Sequence, residues 1–191
     1  MELQDYLLEV QLRTARSING LFNLALRQAF QPEFLRKIEN TVHNTIKVKE
    51  VEQKNQNVMA WNRGGTIFIN KRAFGALPIS KKMNYLLHEF MHILQTMRRF
   101  FLFRGFKEIN NMTLDLYDAV ERNLTKPYNV FLTKKNIGIG SGGKYEILAY
   151  LMNGSLDWSA LTEEGQKKFV EILREYNVFN LDSQFMKERL P

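Results

Sequence analysis

The segment Ser80–Phe103 reads SKKMNYLLHEFMHILQTMRRFFLF, and its apolar residues recur at the spacing of one helical face. These residues are Met83, Leu86, Leu87, Phe90, Met91, Ile93, Leu94 and Met97. The pattern predicts a long helix. Its centre carries no Lys or Arg between Tyr85 and Leu94, which indicates that this part of the helix is buried.

The motif His88-Glu89-Phe90-Met91-His92 lies at the centre of this helix. Residues four apart lie on one helical face, so the two imidazoles can bind one metal ion, with Glu89 beside them. Neutral imidazole nitrogen is a good ligand for zinc, and a neighbouring carboxylate can take a proton from water that the metal activates. The alternative is that both histidines are ordinary packing or surface residues that match the motif by chance. The chain has only three histidines, however, and two of them have ligand spacing, which favours a Zn²⁺ site.

Three short strands are predicted before this helix. In Thr41–Glu52, apolar residues alternate with lysines, which is typical of a half-buried strand. Val58–Trp61 and Thr66–Asn70 are the other two, joined by the turn signal Asn62-Arg63-Gly64-Gly65. We expect a small antiparallel or mixed sheet, with Thr66–Asn70 as an edge strand beside a cleft.

The rest of the chain reads mainly as helix. Residues 1–40 form a helical N-terminal segment, residues 41–105 hold the sheet and the long helix, and residues 106–191 form a helical half. Within that half we predict four helices and one extended stretch: helices at Lys107–Asn123, Lys144–Asn153, Thr162–Tyr176 and Asp182–Leu190, and extended chain at Tyr128–Lys134. The predicted fold class is therefore α+β, in one domain spanning residues 1–191.

Composition excludes several classes of protein. The chain has no cysteine, which excludes a disulfide scaffold, a cysteine nucleophile and thiolate metal sites. The net charge is +7, but the basic residues are spread along the chain and match no known nucleic-acid motif. No signal peptide or transmembrane segment is evident, so we expect a cytoplasmic protein, or one in a host cytoplasm or virion if the chain is phage-encoded.

The order of these elements resembles the zincin metallopeptidases. HEFMHILQ is similar to the active-site helix of that group, and the likeness spans about Thr41 to Asn153. One departure is Tyr85, where such helices more often carry Val or Thr. The resemblance implies a zinc-dependent peptidase with Glu89 as general base. The arrangement HExxHxxGxxH of the metzincins is absent, because Gln95 stands where its glycine would be and Met97–Arg99 contains no histidine.

A third histidine after the motif is excluded, because the only other histidine, His43, precedes it. The third zinc ligand is therefore expected to be a carboxylate. Glu146 is the first choice. The gluzincins place a glutamate on a later helix, often with a small residue three positions on, and Glu146 and Ala149 match that arrangement. A small residue would let the two helices approach closely. The rivals, which could be ligands, outer hydrogen-bond partners or solvated surface residues, are Asp115, Asp118 and Glu121.

Three further features of the sequence are candidates for a functional role. Tyr145 and Tyr150 flank Glu146, and either phenol could donate to an oxyanion, the alternative being packing. Residues Gly138–Gly143 satisfy GxGxxG, but no βαβ repeat surrounds them, so we favour a loop that shapes the cleft over a dinucleotide site. Arg98–Lys107 mixes cations with aromatics, a composition that could contact a membrane surface or nucleic acid. We favour the C-terminal end of the long helix, where arginines interact well with the helix dipole and the Phe side chains pack.

The resulting functional hypothesis is peptide hydrolysis. A peptide or protein substrate would lie along Thr66–Asn70 by strand addition. Two alternatives stay open: a non-catalytic structural or interaction protein that retains a zincin fold, for example a component of a phage particle, and a toxin-like protease with one intracellular target. The sequence does not indicate the substrate or the oligomeric state.

Overall fold

The computed structural model describes residues 17–53, 58–96, 104–132 and 143–191, with the side chains of residues 39–45, 96, 104 and 105 left undescribed. Helices predominate in these residues, and the three strands found among them lie between Lys47 and Asn70. In chain order the elements are α1 Ile18–Ala29, α2 Pro32–Thr45, β1 Lys47–Val51, β2 Ala60–Arg63, β3 Thr66–Asn70, α3 Lys71–Gly75, α4 Ile79–Thr96, α5 Arg104–Asn123, α6 Tyr128–Phe131, α7 Glu146–Asn153, α8 Glu163–Tyr176 and α9 Gln184–Lys187. The α+β prediction is confirmed.

The sheet is mixed and has the order β1-β3-β2. β1 pairs with β3 in parallel, and β2 pairs with β3 antiparallel. The hairpin between β2 and β3 turns at Gly64 and Gly65, whose φ angles of 56° and 81° lie in the left-handed region that glycine tolerates. The prediction that Thr66–Asn70 is an edge strand is wrong, because this strand accepts a partner on each side. In the described chain, β2 is the edge strand that contacts α4.

The core is built around α4. Leu86, Leu87 and Phe90 are fully buried, as the absence of Lys and Arg from the centre of the segment predicted. The ring of Phe90 packs edge-on against Phe22 of α1 and against Phe30, with ring centroids 5.4 and 5.7 Å apart. The buried cluster continues through α5, α7 and α8 to Met186. In the described ranges, no helix is long and apolar enough to cross a membrane.

Helix ends follow local sequence signals. The hydroxyls of Ser17 and Thr162 accept backbone N–H bonds from Gly20 and Gly165, at 3.1 and 3.0 Å, and so cap α1 and α8. Gly154 ends α7 with a φ of 69°, in the left-handed conformation that such C-terminal positions favour.

Several predicted boundaries differ from the structure. The helix predicted to end at Asn40 continues to Thr45, which shortens the first strand to Lys47–Val51. Tyr128–Lys134 was predicted as extended, but its described part forms the short helix α6, whose first turn is closed by a hydrogen bond of 2.8 Å from the Val130 N–H to the carbonyl of Pro127. The last helix covers only four residues, Gln184–Lys187, of the predicted Asp182–Leu190. Residues 97–103 and 133–142 lie outside the described chain.

Candidate metal centre

The two helices that carry the predicted ligands, α4 and α7, pack against each other with opposite chain directions. His88 contacts Ala149, and His92, one turn further along α4, contacts Glu146, one turn earlier in α7. Ala149 is fully buried at this contact. A methyl side chain leaves room for the two helices to approach, and the approach brings groups far apart in the sequence into one cluster.

Three donor atoms converge between these helices. The Nε2 atoms of His88 and His92 are 3.2 Å apart, and His92 Nε2 lies 3.6 Å from Glu146 Oε2. One ligand atom from each of the three residues lies within 4.8 Å of the others. Tetrahedral zinc with bonds of about 2.0–2.1 Å requires ligand atoms roughly 3.3–3.4 Å apart. The separations of 3.2 and 3.6 Å lie on either side of that distance.

The orientation of the His88 ring suits a metal ligand. Its Nδ1 lies 3.0 Å from the carbonyl oxygen of Ala149. A carbonyl can only accept a hydrogen bond, so the proton of the neutral ring resides on Nδ1. This leaves the lone pair of Nε2 directed at His92 and the cluster, which is the tautomer that metal-ligating histidines adopt when a carbonyl holds their other nitrogen.

The carboxylate of Glu146 provides a direct test of whether the cluster fits a cation. Its Oε2 atom is buried and has no hydrogen-bond partner. Burying a carboxylate oxygen without a partner is costly, and a cation bound between Glu146 and the histidines would remove that cost. Two imidazoles and one carboxylate form a donor set typical of catalytic zinc. The residues present therefore fit a divalent cation.

Glu89, the predicted general base, is held beside the cluster by the sheet. Its side chain is 9% exposed, and its Oε2 accepts a hydrogen bond of 2.7 Å from Nδ2 of Asn62. Asn62 lies in the edge strand β2, on the strand face that packs against α4. The hydrogen bond from the Asn62 side-chain amide orients the carboxylate of Glu89.

The rival carboxylates lie elsewhere. Asp115 on α5 is exposed and accepts a hydrogen bond of 2.5 Å from the hydroxyl of Tyr176. Asp118 is exposed, and Glu121 accepts a bond of 3.3 Å from Tyr117. Within the described chain, His88, His92 and Glu146 are the one group whose geometry could hold a metal ion.

The two predicted oxyanion donors occupy different positions. Tyr150 is 6% exposed, and its ring packs edge-on against His88 with centroids 5.4 Å apart. Tyr145 is half-buried at the start of α7, and the ammonium of Lys144 lies 5.2 Å from the centre of its ring. Tyr150 is therefore the one whose ring packs against a predicted ligand histidine, and whether either phenol acts on a substrate stays a prediction.

A third tyrosine near the site was not singled out from the sequence. The hydroxyl of Tyr128 donates a bond of 2.7 Å to the carbonyl of Gly143, just before α7. Burial raises the pKa of this phenol well above its ordinary value, with further contributions from Tyr117 and Glu146. Tyr128 therefore stays protonated and holds the chain where the helix carrying Glu146 begins.

Asn62 was also missed as a site residue. Within Asn62-Arg63-Gly64-Gly65 it reads as part of a turn, yet β2 continues through Arg63 and places its amide on Glu89. The only available signal was its position two residues before a hairpin glycine.

Parts of two sequence features lie outside the described residues: residues 138–142 of the GxGxxG loop and most of Arg98–Lys107. The side chain of His43 lies outside them as well.

Comparison of the chain with known protein families, with curated proteins and with solved structures finds no match in any of the three. The case for a function therefore depends on the geometry of the cluster.

Proposed function

We propose that the chain is a zinc-dependent peptidase in which His88, His92 and Glu146 hold the ion and Glu89 is the general base. The single observation behind the proposal is the convergence of three donor atoms within 4.8 Å, one of them a buried and unpartnered carboxylate oxygen. The resemblance of HEFMHILQ to the zincin active-site helix supports peptide as the substrate class.

The chemistry divides between the ion and the protein. A bound zinc ion supplies Lewis acidity, which lowers the pKa of a coordinated water and polarises a substrate carbonyl. Glu89 accepts the proton of the attacking water at its carboxylate and delivers it to the leaving amine. The bond from Asn62 fixes the direction in which that carboxylate points, and the carbonyl of Ala149 keeps the proton of His88 on Nδ1.

The proposed docking edge for a peptide differs from the one expected from the sequence. Thr66–Asn70 is central in the sheet, so its backbone groups are already used by β1 and β2. In the described chain the remaining edge next to α4 is β2, and an extended peptide could add to it by backbone hydrogen bonds. Because Asn62 of β2 touches Glu89, a peptide on this edge would run past the general base.

Replacing Glu89 by Gln tests the proposal. The amide keeps the size of the side chain but cannot accept the proton, so we expect metal content to stay equal to wild type while cleavage falls about 10²- to 10⁴-fold. Metal is measured by elemental analysis, and cleavage by mass spectrometry of a broad peptide library incubated with the protein. Asp118→Asn, which removes an exposed carboxylate, is the matched control and should cleave like wild type.

Equal cleavage by wild type and Glu89→Gln would refute the assignment of the base. Metal binding without cleavage by either protein would favour the non-catalytic alternative, a protein in which the ion only stabilises the fold.

A further inference from the structure

Arg189 is a buried cation that the proposed chemistry does not use. It lies two residues after α9 and is 8% exposed. Its Nε donates a bond of 3.0 Å to the carbonyl of Met152 in α7, and its Nη1 donates to the carbonyl of Phe185. Its Nη2 donates to Oδ1 of Asn84 in α4. One guanidinium thus bridges the two helices that carry the ligands.

Asn84 extends this bridge toward the metal ligands. It stands one turn before His88 on the same face of α4. Its Nδ2 donates a bond of 3.2 Å to the carbonyl of Asn153, the last residue of α7. The side-chain amide of Asn153 in turn lies 3.2 Å from Nδ1 of His88. Hydrogen bonds therefore run from Arg189 through Asn84 to the backbone of Asn153, whose side-chain amide nitrogen packs against the ring of His88.

Three side-chain contacts join α4 to α7: Asn84 with Asn153, His88 with Ala149, and His92 with Glu146. The second and third belong to the proposed metal centre, and Arg189 is hydrogen-bonded to Asn84 of the first. Ligands drawn from two helices need their relative position held to about 0.5 Å. A sliding of α7 by even part of a turn would carry Glu146 away from His92.

We propose that Arg189 is a positioning residue for the metal centre, fixing the register of α7 on α4 through Asn84 so that the three ligands meet. This inference rests on the proposed metal site. The guanidinium suits the role because its planar fork makes several hydrogen bonds of fixed direction at once, which neither lysine nor an apolar side chain can do. Burial lowers the pKa of Arg189 to about 10, so the bridge is charged at neutral pH.

The test measures metal affinity and ligand geometry in Arg189→Met. Cobalt(II) serves as the probe, with its affinity obtained by titration and its geometry by visible absorption. Outer partners of metal ligands contribute about 10- to 100-fold to affinity, so we expect a loss of that size and altered absorption bands. Circular dichroism of the metal-free protein checks the fold. Arg189→Lys, which restores the charge but not the fork, should recover only part of the affinity.

Two further variants separate positioning from general stability. Trp158→Phe removes a bond of 3.0 Å from the indole to the backbone carbonyl of Arg189 and leaves the guanidinium in place. It should lower the melting temperature without changing cobalt affinity. Asn84→Asp keeps an acceptor for Arg189 but loses the donor to Asn153, so it should weaken cobalt binding even if Arg189→Met fails to fold.

Cobalt affinities and spectra equal to wild type in both Arg189→Met and Asn84→Asp would overturn the inference and leave the metal site standing. An equal loss of affinity in Trp158→Phe would also overturn it, because general destabilisation would then explain the effect. If wild type itself bound no cobalt, the proposed metal site would fail, and the inference with it.

Discussion

Two helix pairs in this molecule carry acidic residues that the sequence offered as metal ligands, and they differ in what surrounds those acids. Between α4 and α7, the Oε2 atom of Glu146 is buried without a hydrogen-bond partner and faces His92. Between α5 and α8, the carboxylate of Asp115 is exposed and bonded to Tyr176. The first carboxylate has an oxygen that could bind a cation, whereas the second already accepts a hydrogen bond.

The close approach of the helices is common to both pairs, so proximity alone does not distinguish them. In α8, Gly165 lies so near α5 that an added Cβ would stand 2.5 Å from the Cβ of Asn123. In α7, Ala149 plays the corresponding part against His88. A site is indicated where ligand atoms converge and one of them, Oε2 of Glu146, is buried without a hydrogen-bond partner, whereas a structural contact is indicated where the carboxylate already accepts a hydrogen bond.

The largest expected effect is the loss of a ligand. His92→Ala should reduce cobalt or zinc affinity by more than the about 100-fold that removal of an outer partner costs, because one of three protein ligands is gone. The matched substitution in the other pair, Asp115→Ala, should leave affinity unchanged. Titration of the metal-free proteins with cobalt measures both. A large loss in Asp115→Ala would contradict the contrast between the two pairs.

A smaller effect is expected from enlarging the residue at each close approach. Ala149→Leu should force α7 away from α4 and weaken metal binding by about 10-fold or more, since the ligands sit on both helices. Gly165→Ala should cost about 1–3 kcal/mol of unfolding free energy by overpacking, with metal affinity unchanged. Urea denaturation in the presence of a chelator and cobalt titration report the two quantities. If Gly165→Ala impaired metal binding as strongly as Ala149→Leu, the two pairs would not be independent.

The smallest effect concerns the bond between Tyr176 and Asp115. Burial, followed by the hydrogen bond to Asp115 and its charge, raises the pKa of Tyr176 from 10.0 to about 12. The protonated phenol is favoured in the folded state, so its contribution to stability is present below about pH 10 and is lost as the pH rises toward 12. In the Asp115→Asn variant, the pKa of Tyr176 should fall toward 10. Spectrophotometric titration of tyrosine measures the change, and an unaltered titration would show that Asp115 does not act on the phenol.

The parts of the fold that the sequence predicted are those with a strong local signal. The helix containing His88 and His92 followed from apolar periodicity, and the helix predicted at Lys144–Asn153 ends at Asn153 in the structure, before the left-handed Gly154. The arrangement of the sheet could not be derived this way. Alternation of apolar and polar residues marks a strand without saying which strand is its neighbour, and Thr66–Asn70 was misplaced at the edge for that reason.

The candidate site divides in the same manner. Helical spacing alone places His88 beside His92, whereas the meeting with Glu146 depends on how two distant segments pack. Asn62 and Arg189 were not predicted, because an asparagine in a strand and an arginine near the C-terminal end of the sequence carry no local signal for their roles. Their contacts exist only once the sheet and the last residues have packed on α4.

The position of the three proposed ligands on two separate helices has a consequence for thermodynamic linkage. An unfolded chain offers the pair His88 and His92 without Glu146, so a cation would favour the native state. At a free concentration one hundred times its dissociation constant, such a ligand contributes about 2.7 kcal/mol to stability. The melting temperature of a purified sample would then report its metal load, and dialysis against a chelator would shift the unfolding transition downward without any change to the chain.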